Sequence, residues 1–145
     1  MKKKIAILGS TGSIGRSTLD VVKRDIKNFN IILLSANNNY KKLIEQAKYF
    51  NAKNVLIKNK RFYPKVKNSL KRTKTKVYTG DIPINKIVSE KLDYTMSAVV
   101  GLAGLQPTID AIKISRKVAI ANKETIICGW EILSRYIKKY KTEII

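Results

Sequence analysis

Residues 5–15 read IAILGSTGSIG, a short apolar run that leads directly into a loop with three glycines. The apolar run predicts a buried strand, and the segment that follows, SIGRSTLDVVKRD, has apolar residues near helical spacing. Glycine lets a backbone turn tightly, and the N–H groups at the start of a helix attract anions. A strand, a glycine loop and a helix in this order therefore predict a loop that holds a pyrophosphate. A glycine-rich turn without a ligand is the plain alternative.

The same alternation of strand and helix continues along the whole chain. Strands are expected at 4–9, 30–36, 54–58, 76–80, 94–101, 117–122 and 141–145, and helices at 13–25, 39–51, 61–72, 84–91, 105–115 and 123–140. Continuous apolar strands that alternate with helices are typical of a parallel sheet covered on both faces. The sequence thus predicts an α/β, Rossmann-like, doubly wound fold with a mainly parallel sheet. Because a strand at the C-terminus leads onward, we expect one domain, 1–145, of a longer protein.

Composition excludes several classes of function. The chain has 145 residues, a single cysteine and no histidine, so a disulfide framework and histidine-based catalysis are excluded within it. No apolar run approaches the roughly 18 residues of a membrane span. The start, MKKKIAILGS, has the charge of a signal peptide but too short an apolar run, and we expect a first strand there. Cys128 lies in an apolar stretch and is expected to be an inert thiol in the core.

The charge is strongly positive, with 30 Lys and Arg residues against 10 Asp and Glu and a net charge of +20. Such a balance is compatible with nucleic-acid binding. However, the basic residues are mostly lysines and are dispersed along the chain, which favours a solvated surface instead. We therefore expect phosphorylated small molecules rather than nucleic acid as ligands.

The second predicted strand ends in SANNNYKK, residues 35–42. Sites specific for NAD place an acidic residue at this point to bond the ribose 2′-hydroxyl, and none is present here. Asn37, Asn38 and Asn39 supply amide donors instead, with Lys41 and Lys42 close behind. This pattern favours NADP(H), since a carboxylate would repel the 2′-phosphate. An asparagine-rich turn that caps the next helix is the alternative, and the two interpretations are compatible.

A third motif, IANKET at 120–125, follows a predicted buried strand. Ligands of doubly wound sheets bind at the carboxyl ends of the strands, so Asn122, Lys123 and Glu124 are expected on the cofactor side. Lys123 is a candidate for holding an anionic substrate. Glu124 is a candidate for bonding a ribose or for capping the next helix, and a helix cap alone remains the alternative.

Three segments together resemble one enzyme family. GSTGSIG at 9–15 followed by RSTLDVV, SAVVGLAGLQPTIDAI at 97–112 and IANKET resemble, in order, the N-terminal NADPH-binding domain of 1-deoxy-D-xylulose 5-phosphate reductoisomerase. The resemblance implies an oxidoreductase of non-mevalonate isoprenoid biosynthesis that uses NADPH and a divalent metal, Mg, Mn or Co. It forms 2-C-methyl-D-erythritol 4-phosphate from its sugar phosphate. It also implies a homodimer in a bacterial-type cytoplasm, without a signal or transit peptide and without a membrane partner.

The resemblance assigns roles to residues by matching position. The implied cofactor-binding residues are Gly9, Thr11, Gly12, Ser13, Ile14, Asn37, Asn38, Asn39, Asn122 and Glu124. Lys123 is the implied substrate-binding residue, and Gly101, Ala103 and Gly104 are implied to form a loop near the nicotinamide.

The family's metal ligands lie in a PVDSEH-like segment, and this chain ends at Ile145 before it. No catalytic residue and no metal site is therefore expected in the chain, which we expect to be inactive alone. Two other classes remain open. One is a different NADP-dependent oxidoreductase domain, such as a dihydrodipicolinate reductase or an aspartate-semialdehyde dehydrogenase. The other is a basic nucleic-acid-binding domain on the same fold.

Overall fold

In the computed structural model, which describes residues 1–145, seven strands form one sheet. The strands are β1 (Lys3–Leu8), β2 (Phe29–Ala36), β3 (Asn54–Ile57), β4 (Lys76–Thr79), β5 (Leu92–Ser97), β6 (Ser115–Ile120) and β7 (Glu143–Ile144). Their order is β4-β3-β2-β1-β5-β6-β7, and every neighbouring pair is parallel. The predicted α/β fold with a parallel sheet is therefore confirmed.

Six α-helices connect the strands. They are α1 (Ser13–Arg24), α2 (Tyr40–Phe50), α3 (Tyr63–Leu70), α4 (Ile84–Ile87), α5 (Leu105–Ile114) and α6 (Lys123–Tyr140). Three short 3-10 helices complete the connections at Ile26–Asn28, Lys60–Phe62 and Leu102–Gly104. None of the helices combines the length and the hydropathy that crossing a membrane requires.

The helices cover the two faces of the sheet and create two separate apolar cores. Alternate residues of β1 point to opposite sides, so Ile5 and Ile7 pack with α1, α2 and α3, whereas Ala6 and Leu8 pack with α4, α5 and α6. The chain reverses direction across the sheet at β1, since β2 pairs with one edge of this strand and β5 with the other. Such a switch point leaves a crevice at the carboxyl ends of the strands.

Several elements are shorter than the sequence predicts. The helix expected at 84–91 is only α4, because Val88 adopts an extended conformation, with φ −107° and ψ 113°. The strand expected at 94–101 ends at Ser97, and the chain then turns through Gly101, whose φ is +72°. By contrast, α6 has the bounds expected for it, 123–140.

The expectation that Cys128 is buried is wrong. Cys128 is exposed on α6. The buried residues of this helix are Thr125, Gly129 and Leu133, which are spaced by four and lie on one face. Cys128 lies one position before Gly129 and therefore falls outside the buried face of the helix, although its neighbours in the sequence are apolar.

Candidate functional site

The glycine loop joins β1 to α1 at the carboxyl edge of the sheet. Gly9 has φ +76°, and a Cβ at this position would lie 2.7 Å from the carbonyl oxygen of Ala98, which follows β5. Both the backbone conformation and this close approach require glycine. A Cβ on Gly15 would lie 2.6 Å from the Cα of Ser10, so this glycine lets α1 begin directly against the loop.

Gly12, in contrast, is not required by any contact within the chain. It precedes α1 with φ −76°, it is exposed, and a Cβ there would meet only the carbonyl oxygen of Gly9 at an ordinary 3.6 Å. The N–H groups of Ser13 and Ile14, in the first turn of α1, have no acceptor in the chain. The missing side chain thus leaves open space in front of unpaired donors, which suits the close approach of an anion.

A buried polar network fixes the shape of the loop. Ser10 is fully buried, and its hydroxyl donates to Oε1 of Gln46 at 2.8 Å. Nε2 of Gln46, a residue of α2, donates in turn to the carbonyl oxygen of Ser10 at 3.0 Å. The N–H of Gly9 donates to Oγ of Ser35 at 3.1 Å, and the N–H of Ser10 donates to the carbonyl of Ser35 at 2.8 Å. These hydrogen bonds hold the loop against β2 and α2.

The three asparagines after β2 are all exposed and lead into α2, which begins at Tyr40. Oδ1 of Asn39 accepts the N–H of Lys42 at 3.2 Å and caps the helix, as the alternative interpretation of this segment expected. Oδ1 of Asn38 accepts from Nδ2 of Asn59 at 2.8 Å, and the carbonyl of Asn37 accepts the N–H of Asn59 at 3.0 Å. No side-chain amide nitrogen of the three has an acceptor in the chain, so these donors face solvent.

Asn122 joins the loop after β5 to the start of α6. Its Nδ2 donates to the carbonyl oxygens of Val99 and Gly101, both at 2.6 Å, and its Oδ1 accepts from the N–H groups of Glu124 and Thr125. The residue that caps α6 is therefore Asn122 and not Glu124, which is exposed in the first turn. Because its side-chain amide group donates to two backbone carbonyls, Asn122 fixes the loop after β5 relative to the start of α6.

One concavity brings the glycine loop and the IANKET segment together. It is lined by Ile14 from the start of α1, by the loop Ala98–Val100 after β5, and by Asn122, Lys123 and Glu124. Hydrogen bonds continue past the strand ends, from the N–H of Ala98 to the carbonyl of Leu8 and from that of Ala121 to the carbonyl of Ser97. The sequence thus correctly placed these segments at one edge of the sheet.

No group of three or more His, Cys, Asp or Glu side chains is close enough to hold a metal ion. The residues of this chain do not match a catalytic metal centre, and no metal chemistry is assigned to them. What the site offers is two unpaired N–H groups at the start of α1 and one exposed lysine, Lys123.

A second groove at the same edge contains residues that sequence reasoning missed. Asn37 and Lys58 line it together, beside Leu56 and Ile82. Lys58 and Asn59 follow β3 directly, and the N–H of Lys58 donates to the carbonyl of Ala36 at 2.9 Å. Because β2 and β3 are parallel neighbours, the residues after β3 lie beside the asparagines after β2. The sequence analysis predicted a parallel sheet but no strand order, so it did not point to these residues.

Comparison of the sequence with known proteins identifies the family to which the chain is similar. The sequence model of the family described as 1-deoxy-D-xylulose 5-phosphate reductoisomerase matches residues 5–129. The enzyme of that name from Pelagibacter ubique is 51% identical over 142 residues, which are 97% of this chain and 37% of that protein. The enzyme from Phocaeicola vulgatus is 40% identical and is covered to 38%. The chain therefore spans somewhat more than a third of the length of these relatives.

Solved structures agree with the sequence comparison. The reductoisomerase from Zymomonas mobilis in complex with NADPH superposes on the whole chain with a TM-score of 0.94 and 32% identity, and 38% of it is covered. A reductoisomerase in complex with NADPH, fosmidomycin and magnesium superposes on 98% of the chain with a TM-score of 0.90 and 28% identity, with 35% of it covered. Since the family's sequence model matches most of the chain, the protein belongs to the 1-deoxy-D-xylulose 5-phosphate reductoisomerase family.

Proposed function

We propose that residues 1–145 form the NADPH-binding domain of a 1-deoxy-D-xylulose 5-phosphate reductoisomerase. The observation that carries the proposal is the open space at Gly12 in front of the unpaired N–H groups of Ser13 and Ile14. The asparagine turn without an acidic residue lies at the same edge of the sheet. The Zymomonas structure, solved with NADPH, supports the choice of cofactor.

Each part of the site has a proposed task. The N–H groups of Ser13 and Ile14 donate to the pyrophosphate, with Thr11 and Gly9 shaping the loop around it. Asn37, Asn38 and Asn39 contact the adenosine ribose and its phosphate. Glu124 and the backbone around Asn122 contact the nicotinamide half of the cofactor, where Gly101, Ala103 and Gly104 form the adjoining loop.

Lys123 is proposed to hold the anionic substrate at the nicotinamide end. Its exposed position at the start of α6, beside Glu124 and the loop after β5, supports this role. When bound, NADPH supplies the hydride. The residues of this chain bind the cofactor and orient it toward that end of the site.

For the whole protein we propose the activity of the family. It isomerises and reduces 1-deoxy-D-xylulose 5-phosphate to 2-C-methyl-D-erythritol 4-phosphate as a cytoplasmic, metal-dependent homodimer in non-mevalonate isoprenoid biosynthesis. Because no cluster of metal-ligating side chains occurs in residues 1–145, we propose that the ligands lie in the part of the relatives that this chain does not match. The isolated chain is then expected to bind NADPH without turning over the sugar phosphate.

Titration of the purified chain tests the proposal. We expect saturable binding of NADPH by calorimetry, and weaker binding of NADH. Gly12→Ala is expected to weaken NADPH binding about tenfold or more, since the added Cβ enters the space of the pyrophosphate. The thermal midpoint is expected to fall only slightly, because φ −76° suits alanine and the Cβ meets no clash within the chain.

Ser134→Ala, in the second half of α6 and about three turns beyond Asn122, is the control and is expected to leave binding unchanged. A folded chain that binds neither nucleotide would contradict the proposal. Saturable binding of duplex DNA with a steep dependence on salt, in that case, would support the nucleic-acid alternative that the net charge of +20 leaves open.

A further inference from the structure

Lys58 lies in the groove beside Asn37 and takes no part in the cofactor contacts proposed for the glycine loop, the asparagine turn and α6. Lys58 follows β3, its side chain is 35% exposed, and it lines this groove together with Asn37. Two backbone hydrogen bonds fix its position, from the N–H of Lys58 to the carbonyl of Ala36 and from the N–H of Asn59 to the carbonyl of Asn37. The parallel ladder of β2 and β3 thus continues past the strand ends and places Lys58 beside the asparagine turn.

Asn59 determines how Asn38 presents its side chain. Nδ2 of Asn59 donates to Oδ1 of Asn38 at 2.8 Å, which occupies the acceptor end of that amide. The donor end, Nδ2 of Asn38, has no acceptor in the chain and faces outward. Asn59 itself is held in place because its Oδ1 accepts the N–H of Arg61 at 3.0 Å. The pair therefore presents N–H donors, and no free carbonyl oxygen, to a ligand.

The other charged groups of the groove leave Lys58 available. Nζ of Lys58 lies 3.3 Å from Oδ1 of Asp81, but the Asp81 side chain is 94% exposed, and ion pairs of this kind contribute little to stability. The carboxylate of Asp110 is buried and accepts from Nε2 of Gln106 at 3.0 Å, with Nζ of Lys113 at 3.6 Å. A phosphate dianion competes with the single charge of Asp81 for the ammonium group.

Neither lysine that follows the asparagines in the sequence is placed as favourably. Lys42 lines a different concavity, between α1 and α2, and Lys41 is exposed in the first turn of α2. Lys58, in contrast, lies on the groove wall next to the amide donors.

We propose that Lys58 is the cation that recognises the ribose 2′-phosphate of NADPH, that Nδ2 of Asn38 donates to the same phosphate, and that Asn59 is the positioning residue for Asn38. This inference rests on the proposed function, since it assumes that NADPH binds along the carboxyl edge of the sheet. It assigns the discrimination between NADPH and NADH to the ends of two neighbouring strands, β2 and β3.

The test compares the affinities of the chain for NADPH and NADH. Lys58→Gln is expected to weaken NADPH binding about tenfold and to leave NADH binding unchanged, because one charge-assisted contact to the phosphate is lost. Lys58→Arg is expected to retain the preference for NADPH. Asn59→Ala is expected to weaken NADPH several-fold without an equal effect on NADH, a difference that a merely structural defect would not produce.

Lys48→Gln is the matched control, since it removes the same charge from the exposed surface of α2 near its C-terminal end. It is expected to leave the ratio of the two affinities unchanged. A Lys58→Gln protein with an unaltered ratio overturns the inference and leaves the proposed function intact. A wild-type chain that binds NADPH and NADH equally well contradicts the expected preference for NADPH, and the inference with it. A folded wild-type chain that binds neither nucleotide overturns the proposed function, and the inference with it.

Discussion

The side-chain amide of Asn122 makes hydrogen bonds that end on two segments of the site. Its donors hold the carbonyls of Val99 and Gly101, and its acceptor holds the N–H groups of Glu124 and Thr125. The loop after β5 and the start of α6 are thereby fixed relative to each other. The sequence suggested a residue in contact with a cofactor, and that remains a prediction. The structure adds that this side chain sets the geometry of its neighbours.

Thr125, next to this amide, permits a prediction on stability. Its Oγ1 is buried and has no hydrogen-bond partner in the chain, which costs free energy. Thr125→Val keeps the shape and removes the unpaired hydroxyl, so the free energy of unfolding is expected to rise by about 1 kcal/mol. Denaturant titration followed by circular dichroism measures the change.

Thr108→Val is the matched comparison for this change. Thr108 is equally buried, but its hydroxyl donates to the carbonyl of Gly104 at 2.6 Å and lies 2.7 Å from Oγ of Ser97. Its replacement is expected to lower the free energy of unfolding by about 1–2 kcal/mol. Equal destabilisation by both substitutions would show that the Thr125 hydroxyl is satisfied.

Among the elements, α2 has a task beyond packing, because Gln46 ties this helix to the glycine loop. Gln46→Leu leaves the buried carbonyl of Ser10 unpaired, and it leaves the Ser10 hydroxyl with only its longer bond to the carbonyl of Ser35, at 3.3 Å. We expect a loss of about 2–3 kcal/mol in the free energy of unfolding. We also expect weaker NADPH binding, because the loop loses a fixed position.

Lys48→Gln on the same helix serves as the control and is expected to leave stability nearly unchanged. Hydrogen exchange at Gly9 and Ser10, whose N–H groups are hydrogen-bonded to Ser35, separates the two effects of Gln46→Leu. Faster exchange there with an intact sheet would indicate a loosened loop. Exchange at the wild-type rate would contradict the role of Gln46 in shaping it.

The order and type of the elements could be predicted from the sequence, because β1, β2 and β3 contain continuous apolar runs and the long helices have an apolar face. The bounds of α6 were correct since an asparagine precedes it as a cap. The helix expected at 84–91 stops at Ile87, because Val88 is extended and packs into the core beside α4, α5 and α6. Likewise, Lys58 joins the site through the pairing of β2 with β3, which no local pattern specifies.

At the scale of the whole molecule, Glu90 links three parts of the chain at the edge of the sheet opposite to the site. Its carboxylate oxygens lie 2.7 Å from Nζ of Lys4, in β1, and 2.6 Å from Nζ of Lys53, just before β3. The hydrogen bond from Lys4, followed by that from Lys53, lowers the pKa of Glu90 below its ordinary value of 4.5.

A carboxyl whose pKa is lowered on folding stabilises the protein above the pKa of the unfolded chain, and the contribution is lost as the pH falls through the folded pKa. Glu90→Gln is therefore expected to lower the free energy of unfolding by about 1 kcal/mol at neutral pH. The difference from wild type is expected to shrink below about pH 4. Urea denaturation at a series of pH values measures both effects.

Glu131→Gln provides the control, since Glu131 forms an exposed pair with Arg135 within α6. Its effect is expected to be small at every pH. A difference between Glu90→Gln and wild type that persists unchanged at low pH would contradict the ionic origin of the stabilisation.

The central place of β1 has a consequence for how the chain folds during synthesis. The core on the side of α1, α2 and α3 draws its fully buried residues from positions 5–77, so it can form as soon as the first half of the chain has emerged. The core beside α4, α5 and α6 and the pairing of β1 with β5 need residues 84–133. The backbone N–H of Lys4 has its acceptor, the carboxylate of Asp93, 89 residues later in the chain. Until then the nascent sheet has an open edge and a bare apolar face, the features that favour aggregation of incomplete chains. Gly9 packs against Ala98, so the glycine loop is among the first segments to be translated and among the last to be completed.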